Sequence, residues 1–541
     1  MVLGFQFSFH SPPLNPVTKK AQRVPIFNPI DRHGRVFFFS WTGFMVAFWA
    51  WYTFPPLLTH TIKHSLHLTP AQVANSNIIS LLATLLVRLI SGWACDRYGP
   101  RLVFAFILLL GAIPIGLAPT ITNVTGLYVI RFFIGILGGS FVPCQVWTTA
   151  WFDKNVVGTA NAVAGGWGNA GGGVTYFVMP AVFDSLVRNW GMAEGKAWRV
   201  TFVVPLICLL VVGLALVLVC EDMPTGRWRD RHGQGVEVPV VIDGVDLKSG
   251  SGAETPMTTT TKMDEEKGSK SVSDTESTTR PDVEKGEVVP VPEGPPNTTI
   301  PSVTTILLSP QTLFHILTYA CSFGSELAIN SVLSSYFLSV APSSLSQTSA
   351  ANYAAIFGFL NFITRPLGGL ASDYLYSSFG GSSPSSSSSP SLSSNPSYPA
   401  KPKALWARKL LITTCTLLTG TFLLLLGLLR PSSLGTAIGL VILAAIFIEA
   451  GNGANFGLIP FVWPERNGVV SGVTGAGGNL GGVAFALVFR FVGGHGAKGG
   501  YEKAIWIVGI INLVVAVVGV GIKPVPVGGM GSTSGKKRWL W

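Results

Sequence analysis

Arg88 and Arg365 each lie inside an apolar stretch long enough to cross a bilayer, and their surroundings match. The chain reads Arg88-Leu-Ile-Ser-Gly92-Trp-Ala94-Cys-Asp96 in its first half and Arg365-Pro-Leu-Gly-Gly369-Leu-Ala371-Ser-Asp373 in its second. Arginine, glycine, alanine and aspartate recur at offsets of zero, four, six and eight. An arginine at the centre of a bilayer costs roughly 2.5–3.5 kcal/mol on translocon-insertion scales. A chain that carries this cost twice, at matched places, points to two positive charges facing each other, with a small anion held on a pseudo-twofold axis.

A second repeat is built on glycine. The chain contains Gly165-Gly-Trp-Gly168-Asn169-Ala-Gly171-Gly-Gly173 and, later, Gly475-Ala-Gly-Gly478-Asn479-Leu-Gly481-Gly482. On a helix, Asn161, Gly165, Asn169 and Gly173 share one stripe, as do Ser471, Gly475 and Asn479. Glycine in mid-helix costs about 1 kcal/mol against alanine, so a run of them implies close helix packing, room for a ligand, or both. Packing of the G-x-x-x-G kind accounts for most of these glycines. It leaves the asparagines unexplained, and an amide placed alike in both halves suits donation to a bound oxyanion.

The elements that must position these residues are membrane helices. The chain has 541 residues, of which 48% are hydrophobic and only 12% charged; soluble domains carry about 25% charged residues. Windows of about 20 apolar residues predict spans over 36–58, 72–95, 101–119, 125–148, 158–182 and 199–220. A second set covers 312–340, 350–376, 405–429, 434–462, 467–491 and 503–523. The predicted fold is an all-α membrane protein with twelve transmembrane helices in two pseudo-symmetric six-helix bundles, 36–220 and 312–523. An N-terminal tail (1–35) precedes them, a linker (221–311) joins them, and a C-terminal tail (524–541) follows. The linker lacks the apolar content to fold alone, and its serine and threonine content makes it a candidate kinase substrate. A serine-rich loop (377–404) reads as a passive insertion.

Basic residues set the orientation. Lys19, Lys20, Arg23, Arg32, Arg35, Arg97, Arg101, Lys401, Lys403, Arg408 and Lys409 fall on one side with both tails, against a thinner set including Lys63, Arg188 and Lys196 on the other. The excess predicts both termini and the linker in the cytoplasm, and the expected location of this multi-pass protein is the plasma membrane. The net charge of +11 reports topology, and no nucleic-acid partner is expected. The basic first 35 residues lack the apolar core and cleavage site of a signal peptide. The six cysteines, all in or beside apolar spans, suggest neither a disulfide framework nor a metal site. No nucleophile–base pair or cofactor motif is evident, so neither an enzyme nor a cofactor is expected.

The loop after the second span, Gly92-Trp-Ala-Cys-Asp96-Arg97-Tyr-Gly99-Pro-Arg101, resembles the hallmark of the major facilitator superfamily. The resemblance implies alternating access, with Gly92, Asp96, Arg97, Gly99 and Arg101, and Asp373 in the echo, acting as a conformational clamp. The echo lacks the second arginine, so a weaker clamp is expected there. The run Ala164 to Gly173 looks like the signature of the nitrate/nitrite porter family within that superfamily, and Gly472 to Gly482 like its second copy. The first span, from Phe44 to Leu58, resembles the fungal members. By this resemblance Arg88 and Arg365 clamp substrate, Asn169 and Asn479 donate hydrogen bonds, and Phe48, Phe141, Tyr319 and Phe323 line the pocket.

The chemistry of the ion agrees. Nitrate is planar and singly charged, with three equivalent acceptors. A guanidinium donates two parallel hydrogen bonds to such a group and stays charged at any relevant pH. Two carboxylates, Glu326 and Glu449, fall within apolar spans. Each is a candidate proton carrier or a counter-charge to a buried arginine. Import against an inside-negative potential costs about 2.3 kcal/mol per charge per 100 mV and must be driven, and the fungal-like features favour proton symport. The expected function is import of nitrate, and of nitrite with it. The rivals are nitrate–nitrite exchange, a porter for another anion such as phosphate, and a nitrate sensor signalling through the linker.

Overall fold

A computed structural model describes residues 5–6, 9–229, 302–341, 345, 347–380, 402–492 and 499–526. Most of the expected linker, of the serine-rich loop and of the C-terminal tail lies outside the described residues, and the kinase expectation lies there with the linker.

Twelve long helical segments order the described chain. In the first half they are α1 (Arg32–Trp51), α2 (Pro70–Tyr98), α3 (Pro100–Leu117), α4 (Val124–Trp151), α5 (Val157–Arg188) and α6 (Glu194–Val219). In the second they are α7 (Pro310–Val340), α8 (Gln347–Gly380), α9 (Pro402–Leu429), α10 (Leu434–Val462), α11 (Asn467–Phe491) and α12 (Gly500–Val520). Eleven helices in the described residues are long and apolar enough to cross a membrane. The segment outside that set is α1, whose apolar run is diluted by Arg32, Arg35, Trp41, Trp49 and Trp51.

Local signals explain several boundaries. Asp31 caps α1 by accepting from the amides of His33 and Gly34. Thr69 and Gln72 form a reciprocal capping box before α2, with Pro70 in its first turn. At its far end α2 stops at Gly99, whose φ of 94° a side chain rarely adopts.

Three expected spans are not single helices, the sixth being broken at Phe202 between Glu194–Thr201 and Val203–Val219. The first was expected to run to 58, but α1 ends at Trp51 and the chain restarts as a short helix, Phe54–Leu57, before a π-helical turn, Leu58–Ile62. Pro55 and Pro56 supply no N–H to the preceding turn, which ends the α-helical ladder there. In α4 the α-helix gives way to a 3-10 passage, Gly135–Ser140. That passage packs on α2, where a Cβ on Gly135 would stand 2.6 Å from the Ala83 side chain.

One apolar core fills the first half, with Phe37, Phe44, Phe104, Trp147 and Trp198, and continues across the seam to Tyr319, Phe323 and Phe456 of the second. A separate core, with Leu333, Tyr336, Leu423 and Ile505, lies within the second half. The two most extensive crossings between the halves are α2 on α11 and α8 on α5. The functional geometry is built on these.

Candidate functional site

The two crossings obey one rule. Asp96, near the end of α2, accepts from the amides of Gly468 (2.9 Å) and Val469 (2.9 Å) at the start of α11. Asp373, toward the end of α8, accepts from the amides of Gly158 (3.0 Å) and Thr159 (2.5 Å) at the start of α5. Neither α5 nor α11 has a capping side chain of its own at this end, so each takes its cap from the opposite half. The carboxylate satisfies first-turn N–H groups that a helix leaves open and meets the positive end of its dipole. Gly158 and Gly468 each stand eleven residues before Asn169 and Asn479. A Cβ on either would lie 2.6 Å from the capping carboxylate.

The arginines use the same two crossings. A Cβ on Gly165 would lie 2.8 Å from Arg365 Nη2, and one on Gly475 would lie 3.3 Å from Arg88 Cδ. Both glycines precede the repeated asparagine by four residues, so each arginine reaches across to the glycine helix of the other half. Both arginine side chains are 1% exposed. Their ζ carbons converge on one ring: Arg88 lies 5.0 Å and Arg365 5.6 Å from the centre of Phe141. Arg88 also sits 5.3 Å from the ring of Phe323.

Aromatic rings wall this pair. Phe141, Tyr319 and Phe323 stack nearly parallel, at 6.1 Å and 11°, then 5.2 Å and 7°. Phe456 closes them edge-on, 4.8 Å from Phe141 and 5.2 Å from Tyr319; it was not among the residues expected from sequence. Phe48 joins through Phe44, which lies 4.7 Å from it and 5.5 Å from Phe141.

The hydrogen bonds of the two arginines differ. Arg88 is anchored, with Nε donating to the Gly138 carbonyl and Nη1 to that of Gly475, both at 2.9 Å. Arg365 makes one long contact, from Nη2 to the Tyr319 hydroxyl at 3.4 Å, while its Nε and Nη1 are buried without a partner. The Asn169 amide nitrogen is likewise buried and unpartnered, one turn along α5 from Gly165. A buried donor left unmet costs about 1–3 kcal/mol, so this cluster favours a ligand rich in acceptors. Asn479 differs from its twin: its Nδ2 donates to the Gly475 carbonyl in its own helix at 3.2 Å, one turn back along the ladder.

Glu326 and Glu449 stand together. The Asn452 amide donates to both carboxylates, at 2.9 and 3.3 Å, and Asn361 donates to Glu326 at 2.8 Å.

The remaining loop residues divide. Arg101 Nε meets the Asp222 carboxylate at 2.5 Å, and its Nη1 donates to the carbonyls of Val217 and Cys220. Arg97 is exposed. Gly92 lies against α11, where a Cβ would stand 2.5 Å from the Gly468 carbonyl. Gly99 lies against Trp228, whose indole donates to the Asp96 carbonyl at 3.2 Å.

The echo lacks the loop's second arginine, and Asp373 meets a basic partner from elsewhere. Arg408 of α9, 0% exposed, donates to Asp373 at 2.6 Å and to the carbonyls of Lys154 and Gly457. The basic partner comes from the next helix rather than from the loop.

Comparison with known proteins places these features in context. The profile of the Major Facilitator Superfamily matches residues 40–384. The "High affinity nitrate transporter 2.5" of Arabidopsis thaliana is 30% identical over 494 residues, covering 91% of this chain and 80% of its own length. The "Elsinochrome transporter 1" of Elsinoe fawcettii is 32% identical over 533 residues, covering 95% and 97%. Among solved structures, a proton:xylose symporter superposes with a TM-score of 0.60 over 90% of this chain and 94% of its own, at 12% identity. That likeness concerns the fold.

Proposed function

The chain belongs to the major facilitator superfamily of transporters, and we propose that it imports nitrate, and nitrite with it, across the plasma membrane by proton symport. The observation that carries this reading is the arginine pair: two buried guanidinium groups over one phenylalanine ring, with two Arg365 donors and the Asn169 amide lacking acceptors. A planar oxyanion supplies acceptors around its whole edge and accepts a guanidinium fork in its own plane. The stacked Phe141, Tyr319 and Phe323 offer flat walls that exclude water and strengthen those bonds. The nitrate transporter named among the relatives supports the same ion.

In this reading the two six-helix halves alternate about the arginine pair. Asp96 and Asp373 hold the end of the bundle that faces the cytoplasm, together with the tails and the linker. Release of both caps opens that end, and the linker is available to a kinase there. Glu326 and Glu449 are the carboxylates available to carry protons.

A second reading, carriage of an organic molecule, draws on the relative named for elsinochrome. Exchange of nitrate for nitrite, phosphate transport and nitrate sensing are the other rivals. Proteoliposomes holding the purified full chain separate them. Uptake is expected with nitrate and nitrite and not with phosphate, to increase with an inward proton gradient, and to need no internal nitrite. Absence of nitrate uptake with the protein correctly inserted contradicts the proposal.

The glycines give a graded check. Gly165→Val places methyl groups where the Arg365 guanidinium lies, and overpacking of this kind costs about 1–3 kcal/mol. Nitrate uptake should fall by roughly ten- to a hundredfold. A Cβ on Gly173, two turns along α5, meets nothing within 4 Å, so Gly173→Ala should leave uptake within about twofold, a difference under ~0.5 kcal/mol. Equal losses in the two variants would mean that the space between Gly165 and Arg365 has no special bearing on uptake.

A further inference from the structure

Glu326 and Glu449 do more than face the anion site, and the atoms around them show what they lack. Glu449 and Asn452 are 0% exposed and Asn361 3%. The amide nitrogens of Asn361 and Asn452 donate to the two carboxylates, and the carboxyl groups of Glu326 and Glu449 also lie within hydrogen-bond reach of each other. Glu449 Oε1, Asn361 Oδ1 and Asn452 Oδ1 are buried acceptors without a donor. Buried polar atoms are nearly always satisfied, so three orphaned oxygens around two carboxylates leave the set short of positive charge or of hydrogen-bond donors. A proton on a carboxyl supplies both, since it turns one acceptor into a donor.

The set is wired to the arginines by two helices. Asn361 stands one turn before Arg365 on α8, and Glu326 stands three residues beyond Phe323 on α7, whose ring lies against Arg88. The titratable and charged groups facing the carboxylates are Arg365 from α8, Arg88 from α2 and Tyr319 from α7. On α9, Cys415 faces Gly451, two positions from Glu449. The corresponding helices of the first half, α1 and α4, contain no acidic residue, so this feature breaks the pseudo-symmetry that governs the rest of the site.

Charge balance then sets a rule. Two arginines and two ionised carboxylates sum to zero, and a monovalent anion between the arginines leaves the centre with one negative charge. In a medium of low dielectric such an excess is costly. We propose that Glu326, Glu449, Asn361 and Asn452 form one proton-binding site that takes up a proton when the anion binds. The anion displaces the carboxylates as counter-charge to Arg365, and the proton goes to a carboxylate oxygen of the pair and donates to one of the orphaned oxygens. This rests on the reading of the arginines as an anion site.

The test is proton uptake on binding. Purified full-length protein in detergent and weak buffer at pH 6.5 receives potassium nitrate, with potassium chloride as control, while a pH indicator counts protons and calorimetry counts bound nitrate. The expected result is about one proton taken up per nitrate bound, since one added charge calls for one counter-charge. In Glu326→Gln and Glu449→Gln, checked for monodispersity, uptake should vanish and nitrate affinity should become independent of pH from 5.5 to 8. Replacing potassium with sodium should change nothing. Nitrate binding without proton uptake in the unaltered protein overturns the proposal, as does full uptake in both glutamine variants. A sodium-dependent affinity overturns it in favour of a sodium site. Absence of nitrate binding is a different failure: it removes the anion reading and this inference with it.

Discussion

Arg365→Lys lowers nitrate uptake by about a hundredfold or more, although the charge is kept. Lysine offers a mobile point charge in place of a planar fork. Loss of one charge-assisted pair of hydrogen bonds is worth about 3 kcal/mol, and each ~1.4 kcal/mol is tenfold. Arg88→Lys fails more broadly, because Arg88 also ties the Gly138 and Gly475 carbonyls together across the two halves. Arg88→Lys should therefore lower thermal stability in detergent as well as uptake, while Arg365→Lys, whose guanidinium has one 3.4 Å protein bond, loses uptake with a smaller stability change. Initial rates of labelled nitrate uptake, normalised to inserted protein, check both. Near-normal rates in either variant sink the clamp.

The second large effect belongs to the Asp373–Arg408 pair. Asp373→Asn leaves the Arg408 charge buried beside Tyr376 and Phe461 with no carboxylate, and breaking a buried pair from one side costs about 3–5 kcal/mol. It also leaves one acceptor oxygen where two cap the amides of Gly158 and Thr159 at the start of α5. A shift of that size moves a two-state equilibrium by more than a hundredfold, so the end of the bundle held by Asp373 should open and transport should collapse. Adding Arg408→Gln to Asp373→Asn removes the stranded charge, and the double variant should be more stable than the single. Melting in detergent reads the cycle. Additive losses would show that the two residues act independently.

The sequence and the structure meet unevenly, for physical reasons. Cost made the arginines legible: nothing apolar explains a guanidinium in a membrane helix, and the repeated neighbours located its partner. The pairing of Asp96 and Asp373 with helix starts was equally within reach, since Gly158 and Gly468 hold the same offset from Asn169 and Asn479. That signal was missed because a glycine at a helix start looks unremarkable until a carboxylate is seen beside it. Arg408 reads in sequence as one more basic residue on the cytoplasmic side, because position along a span edge does not show which way a side chain turns. Phe456 was hidden among many membrane phenylalanines. The 3-10 passage at Gly135–Ser140 arises from packing against α2, which no local propensity encodes. Asn479 carries the same motif as Asn169 and yet satisfies its own helix, so a repeat in sequence does not guarantee the same hydrogen bond.

The most direct test of the arginine site is equilibrium binding of nitrate to the purified chain by titration calorimetry, beside Arg88→Lys and Arg365→Lys. The account predicts one nitrate bound per chain, competed by nitrite and not by phosphate, with binding lost in both variants while the protein stays folded. Nitrate binding of unchanged affinity in the two lysine variants would contradict it.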